Sequence, residues 1–259
     1  MTQLITVSEA ITFGLVLTRL VAFFSAFPVI NSNFVPLNVR LMLVIAMSFF
    51  IMKFANIELI EVKDFSVSWM FLLVIKELLI GFFLGVLTHI IIGIFSYASE
   101  VISYFMGLTL ANLFDPTFGQ ISVIDRFFIL LFYLMFFLSG VYIVFFAGLV
   151  KSFEIIPLFE LKISDNAVLY VLEKALFLFV LALKMAFPFL LVLLMLNVAL
   201  ALINRLIPQV NVFIVGLPMQ IFIGLLSLAI GAAALVMFSK GIMNHFVENY
   251  ISAIKLFGK

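Results

Sequence analysis

Apolar stretches separated by short polar connections organise this chain: 10–30, 37–57, 65–97, 127–150, 167–203 and 210–239. Each reaches or exceeds the roughly 20 residues that an α-helix needs to cross a hydrocarbon core of about 30 Å. The pattern therefore predicts six long hydrophobic helices. The run at 127–150 is the clearest, with 24 residues and no charge. Polar turns follow the first helix at 31–36 and the fifth at 204–209, and charged connections lie at 58–64 and 151–165. A tail rich in Lys and Asn follows the last run.

The stretch 101–119, VISYFMGLTLANLFDPTFG, fits none of these uses. Its charge-free part between Glu100 and Asp115 is 14 residues long, too short to cross a bilayer and within the range of buried or re-entrant segments. It is too apolar for a solvated loop, because Leu108, Leu110, Leu113 and Phe114 together would invite association. Gly107 and Gly119 permit bending, and Asp115-Pro116 marks a turn, since proline disfavours the helical conformation before it. Non-helical backbone at membrane depth persists only inside protein or along a water-filled cavity. The expectation is a hydrophobic hairpin tucked into an interior.

Composition makes this an all-α integral membrane protein: 66% of its 259 residues are hydrophobic and 10% charged, against about 25% charged in soluble domains. A formal charge of +1 and the lack of any basic run exclude nucleic-acid binding. There is no cysteine for a disulfide framework. The first residues lack the positive region of a signal peptide, so insertion is expected to begin at the first hydrophobic helix. Six crossings and the placement of lysines would put both termini in the cytoplasm. Thirty-four phenylalanines favour broad aromatic packing surfaces.

No catalytic constellation stands out. His89 and His245 are far apart in sequence and belong to no metal-binding pattern, and nucleophile and phosphate-loop motifs are missing. His89 is expected to pack or hydrogen-bond against another helix. The charges inside apolar elements, Arg19, Lys76, Glu77, Lys184 and Arg205, should face protein or a cavity. Adjacent Lys76 and Glu77 point about 100° apart on a helix, so each needs a partner elsewhere. Arg19 is a candidate for Glu77, and a structural ion pair is favoured over a transport role. Gly81 and Gly85 form a small-xxx-small pattern, with Gly93 on nearly the same side, suited to a contact within the chain or to a subunit interface. Pro188 and Gly216-Leu217-Pro218 suggest kinks in the last two helices.

Three blocks carry a family resemblance. Asn204-Arg205-x-x-Pro208-Gln209-x-Asn211-x-Phe213-x-x-Gly216-x-Pro218 is the strongest. Glu100, Met106-Gly107, Asn112 and Asp115-Pro116 form a second, and Glu77 with Gly81 and Gly85 a third. Arg19, Phe27-Pro28, Ser152-Phe153, Pro157 and Pro188 agree more weakly, while Ser99 stands where the family often has glycine. With these blocks in the family's order along nearly the whole chain, the chain resembles the FliR family, the R subunits of the bacterial flagellar type III protein-export gate, related to the T subunits of injectisomes.

The resemblance implies one membrane-embedded export-gate domain over 1–259. A P-like part at 1–203, built of helical hairpins and holding a plug loop at 107–119, would be followed by a Q-like hairpin whose turn, last hydrophobic helix and tail occupy 204–259. Some of the six elements need then not cross lipid. It implies a channel subunit in the inner membrane, within the flagellar basal body, that passes unfolded flagellar proteins and has no cofactor or catalytic residue. P-type, Q-type, B-type and A-type subunits would be its neighbours, together with membrane lipid. In such a gate 108–118 is expected to plug the pore, with Leu108, Leu110, Leu113, Phe114 and Phe118 sealing around the Asp115-Pro116 turn. Gly107 and Gly119 would be hinges and Met106 a deformable gasket. The rival expectation is a stand-alone carrier or ion channel for a small solute, dependent on Lys184 or Glu77.

Overall fold

A computed structural model describes residues 6–28, 35–55, 57, 66–109, 123–159, 165–209 and 211–257. Seven helices cover most of them: α1 Val7–Ala26, α2 Leu37–Phe54, α3 Val67–Phe105, α4 Val123–Leu138, α5 Val141–Ile155, α6 Asp165–Leu206 and α7 Val212–Phe257. The all-α membrane architecture expected from the sequence is what the chain adopts. Among the described residues five helices are long and apolar enough to cross a membrane, or six spans if the α4–α5 pair is counted as one.

Local signals explain several boundaries. Thr6 caps α1 in a capping box: its hydroxyl accepts from the Glu9 backbone N–H at 3.2 Å, and its own N–H donates to the Glu9 carboxylate at 2.7 Å. The run 127–150 is not one continuous helix. It breaks at Ser139-Gly140, where Gly140 takes a left-handed φ of 69° and starts α5. An unbroken apolar run cannot report such a break, because one positive-φ glycine is enough to end a helix within it. At the other end of the chain, residues 240–257 continue α7 as helix instead of forming a tail. Ile242, Met243, Phe246, Tyr250, Ala253 and Ile254 are buried there at three- and four-residue spacing, a stripe interleaved with polar residues.

The chain divides into two compact units: Met1–Ile90 with Gly140–Lys174 and Phe246–Lys259, and Ile91–Ser139 with Ala175–His245. In the first, Phe23, Phe24, Phe27 and Phe146 pack with ring centroids 5.2–6.2 Å apart. Phe145 meets Tyr250 edge-on at 4.4 Å, and Gly148 leaves room for the tyrosine ring. In the second, Phe95, Phe132 and Phe136 form the core of the α3–α4 contact. Ser99 of α3 donates to Asp125 of α4 at 2.8 Å. Phe189 fits against Gly231, joining α6 to α7. Pro188 and Pro218 both lie inside continuous helices, so neither ends its element.

At about 1.5 Å per residue, α6 and α7 are roughly 60–70 Å long, twice a hydrocarbon core of about 30 Å. Part of each must extend beyond lipid even when tilted. Their apolar windows are only 22% and 17% buried within the chain, and that of α2 is 17% buried.

Candidate functional site

Two constructions, one in each unit, carry the residues singled out by sequence. In the first unit α1 crosses α3 at Gly81 and Gly85. A methyl group at Gly81 would collide with the Arg19 carbonyl oxygen and lie 2.8 Å from the Ala22 methyl. One at Gly85 would lie 2.6 Å from the Phe23 carbonyl oxygen. The small-xxx-small pattern therefore serves a contact within the chain. Gly93 belongs to the second unit, against Leu178, and His89 is exposed instead of packed.

That crossing brings together a fully buried ion cluster. Arg19 donates through Nε to one Glu77 oxygen and through Nη2 to the other at 3.1 Å, a forked pairing. It also donates to the Ser152 hydroxyl at 3.1 Å and the Ile156 carbonyl at 3.0 Å, and its guanidinium lies 4.2 Å above the Phe153 ring. Lys76 donates to the Pro157 and Leu158 carbonyls at 2.7 and 2.9 Å. The expected pairing of Arg19 with Glu77 is present. The expectation that Lys76 must look elsewhere is only half met, since its ammonium also reaches Glu77 Oε1 at 2.9 Å. Its four-carbon stem spans the angle between neighbouring side chains.

Two cations face one carboxylate, and the excess positive charge is set against main-chain carbonyls just past the end of α5. Carbonyls there lack helical partners, and the helix dipole favours cations at that end. The cluster thus ties α1, α3 and the α5 terminus into one arrangement. Arg19, Ser152, Phe153 and Pro157, the weaker agreements of the family resemblance, converge on it with Glu77. Lys184 and Arg205 are not part of any such cluster; both are exposed.

The second construction is the root of the stretch 101–119. Helix α3 continues through Glu100 to Phe105, so the first five residues of that stretch are helical. Met106 keeps an α-type bond to the Ile102 carbonyl at 2.9 Å, whereas the Gly107 N–H turns back to Tyr104 at 3.0 Å. Gly107 has φ +74°, the left-handed terminator of a helix. Met106 is fully buried, its Cγ, Sδ and Cε seated 2.6–2.9 Å from where a side chain at Gly224 of α7 would begin. Leu108 is half-buried. Leu110, Leu113, Phe114, Asp115, Pro116, Phe118 and Gly119 lie outside the described residues. Gly224→Val should evict Met106, destabilise the second unit by about 1–3 kcal/mol, and speed Met106 oxidation by peroxide as read by mass spectrometry. Unchanged oxidation would show that the seat is unimportant.

The strongest sequence block turns out to be surface. Asn204, Arg205, Pro208, Gln209 and Asn211 are exposed around the α6–α7 turn, as is Pro218, while Gly216 is buried. The Phe213 side chain lies outside the described residues. Glu100 is also exposed. Sequence inspection missed Asn197 and Gln220, which hydrogen-bond across the two helices. Their signal was two amides isolated within long apolar runs. Among the described residues no group of three or more His, Cys, Asp or Glu side chains could hold a metal ion.

Comparison with known proteins agrees with the sequence blocks. The pattern of the bacterial export proteins, family 1, matches residues 10–246. The flagellar biosynthetic protein FliR of Aquifex aeolicus is 35% identical over 236 residues, covering 89% of this chain and 87% of the relative. The proteins of that name from Bacillus subtilis and Escherichia coli are 28% and 29% identical over 252 and 210 residues, covering 95% and 81% of this chain and 95% and 79% of the relatives. With the Arg19–Glu77 cluster and the Met106-Gly107 root carried on matched segments, the chain belongs to the bacterial export proteins, family 1, and within them to the FliR family.

Proposed function

We propose that this chain is a channel-forming subunit of the flagellar type III export gate, passing unfolded flagellar proteins across the bacterial inner membrane. In this reading 108–118 plugs the channel and limits ion leak, with Gly107 and Gly119 as hinges and Met106 as gasket. The observation that carries it is the abrupt end of α3 at Met106-Gly107, with the root of an apolar segment clamped to α7. A hydrophobic constriction excludes water and ions yet can be displaced by an entering polypeptide. The names of the relatives supply the flagellar context.

Partner subunits of the P, Q, B and A types belong to the same proposal, and the apolar surface of the chain supports partners or lipid in general. Large apolar side chains on α2, α6 and α7 are exposed, Met42, Phe50, Phe222, Ile230 and Met237 among them, and need lipid or protein to cover them. The exposed residues 204–209 and Asn211 would be a docking point for another subunit. The single-domain division, P-like over 1–203 and Q-like thereafter, belongs to the same proposal. A stand-alone carrier has less support, because Glu77 is locked in the ion cluster and Lys184 is exposed.

Removing 107–119 from the assembled gate tests the plug. The expected result is a rise in ion conductance across cells or liposomes at unchanged assembly. Basal conductance with normal assembly would eliminate the plug assignment.

A further inference from the structure

We propose that Lys184 marks the seat of an apolar helix from another subunit, which lies on the α6–α7 face and sets one carboxylate against the Lys184 ammonium. This contact rests on the reading of the chain as one subunit among several and names the chemistry of the partner.

Lys184 is out of keeping with its surroundings. It lies near the middle of α6 and is exposed, and among the described residues it makes no ion pair or hydrogen bond. No Asp or Glu occurs between Glu173 and Glu248, so the rest of the helical pair offers it no counter-charge over that range. Exposed apolar side chains continue on both sides of it, Leu176 and Val180 toward one end, Phe187 and Leu191 toward the other. A cation within such a surface is expensive unless an anion meets it. Pro188 adds a second unmet group. Having no N–H, it cannot bond the carbonyl four residues back, which is that of Lys184.

Two apolar grooves of about 310 and 300 Å³ flank this residue along the seam between α6 and α7. One lies at Pro188 and Val192 of α6 against Gly231 and Ala234 of α7. The other lies at Phe177 and Leu181 against Phe238 and Gly241. On α6, positions 177, 181, 184, 188 and 192 follow the three- and four-residue spacing of a single helix face. Lys184 therefore sits between the two grooves on the face that lines both. Their α6 margins are centred about 16 Å apart, three helical turns. A docked helix with large apolar residues three turns apart fills both grooves, and an acid midway between them reaches Lys184.

Lipid alone does not complete this surface. Acyl chains on both sides of Lys184 would leave its ammonium in hydrocarbon, and acyl chains on one side only would leave the apolar residues on the other side in water. An apolar helix carrying one acid covers both sides and brings the anion with it.

Carbodiimide coupling, which joins an amine to a carboxylate in direct contact, tests the pairing in membranes that hold the assembled complex. Mass spectrometry should find Lys184 linked to an Asp or Glu within an apolar helix of another subunit. Lys184→Arg keeps the charge but cannot couple, so the link should vanish with the complex still recovered. Lys184→Glu, which sets like charges face to face, should lower recovered complex by at least about 10-fold. If Lys184 stays unlinked and Lys184→Glu assembles like the wild type, the pairing is overturned while the subunit reading stands. If Lys184 stays unlinked and the purified chain is protected from amine acetylation there by phosphatidylglycerol vesicles but not by phosphatidylcholine vesicles, the cation meets a lipid headgroup and the protein contact is overturned. If the wild-type chain is recovered with no other subunit, the subunit reading falls and this contact with it.

Discussion

Glu77→Ala is expected to be among the most damaging single substitutions in this chain. It leaves Arg19 and Lys76 buried with one hydroxyl and three carbonyl groups and no counter-charge. Removing one partner of a buried ion pair typically costs about 3–5 kcal/mol, a large share of the roughly 5–15 kcal/mol that holds a domain folded. The thermal midpoint of the detergent-solubilised protein should fall by roughly 10 °C or more, and export should be lost with it. Arg19→Met combined with Glu77→Leu should destabilise less than the two single changes summed, because both members of the forked pair are gone and only Lys76, still held by its two carbonyls, is left as a buried cation. A shift of less than about 2 °C in Glu77→Ala would mean that water reaches the cluster and that it is not the fastener described.

Gly81→Leu should be comparably severe for a steric reason. The group in the way is the Arg19 main-chain carbonyl, which cannot rotate aside as a side-chain tip could. Helix α1 must retreat as a body, withdrawing Arg19 from Glu77 as it does. Overpacking alone is worth about 1–3 kcal/mol, and separating the ion pair adds to it, so little folded protein should survive. Gly14→Ala is the matched control: nothing lies within 4 Å of a methyl group there, and alanine favours helix over glycine by about 1 kcal/mol. Its thermal midpoint should hold or rise. A Gly81→Leu protein as resistant to proteolysis as Gly14→Ala would refute the close crossing of α1 and α3.

The ion cluster and the crossing were partly legible because their signals are local and strong. A charge inside an apolar run is expensive enough to demand a partner, and two glycines four apart allow backbones to approach. Arg19 and Glu77 could be matched on that basis although they are 58 positions apart. Ser152, Phe153 and the carbonyls after α5 could not, because hydroxyls, rings and main-chain oxygens occur everywhere. His89 shows the opposite failure: it lies near the glycines in sequence, yet it is exposed while Gly85 is buried.

Hydropathy determined that this is an all-α membrane protein with long apolar helices, and the motif blocks determined its family. Both survive without knowledge of contacts, because transfer from water depends on composition and a motif depends on order. Tertiary structure decided where the 127–150 run breaks, that 240–257 is helix, and which charges are buried. It also decided that Met106 and Gly107 meet Gly224 and Gln220 on α7. Such facts depend on which faces of distant helices come together, and hydrophobic periodicity states only that a face must be covered, not by what.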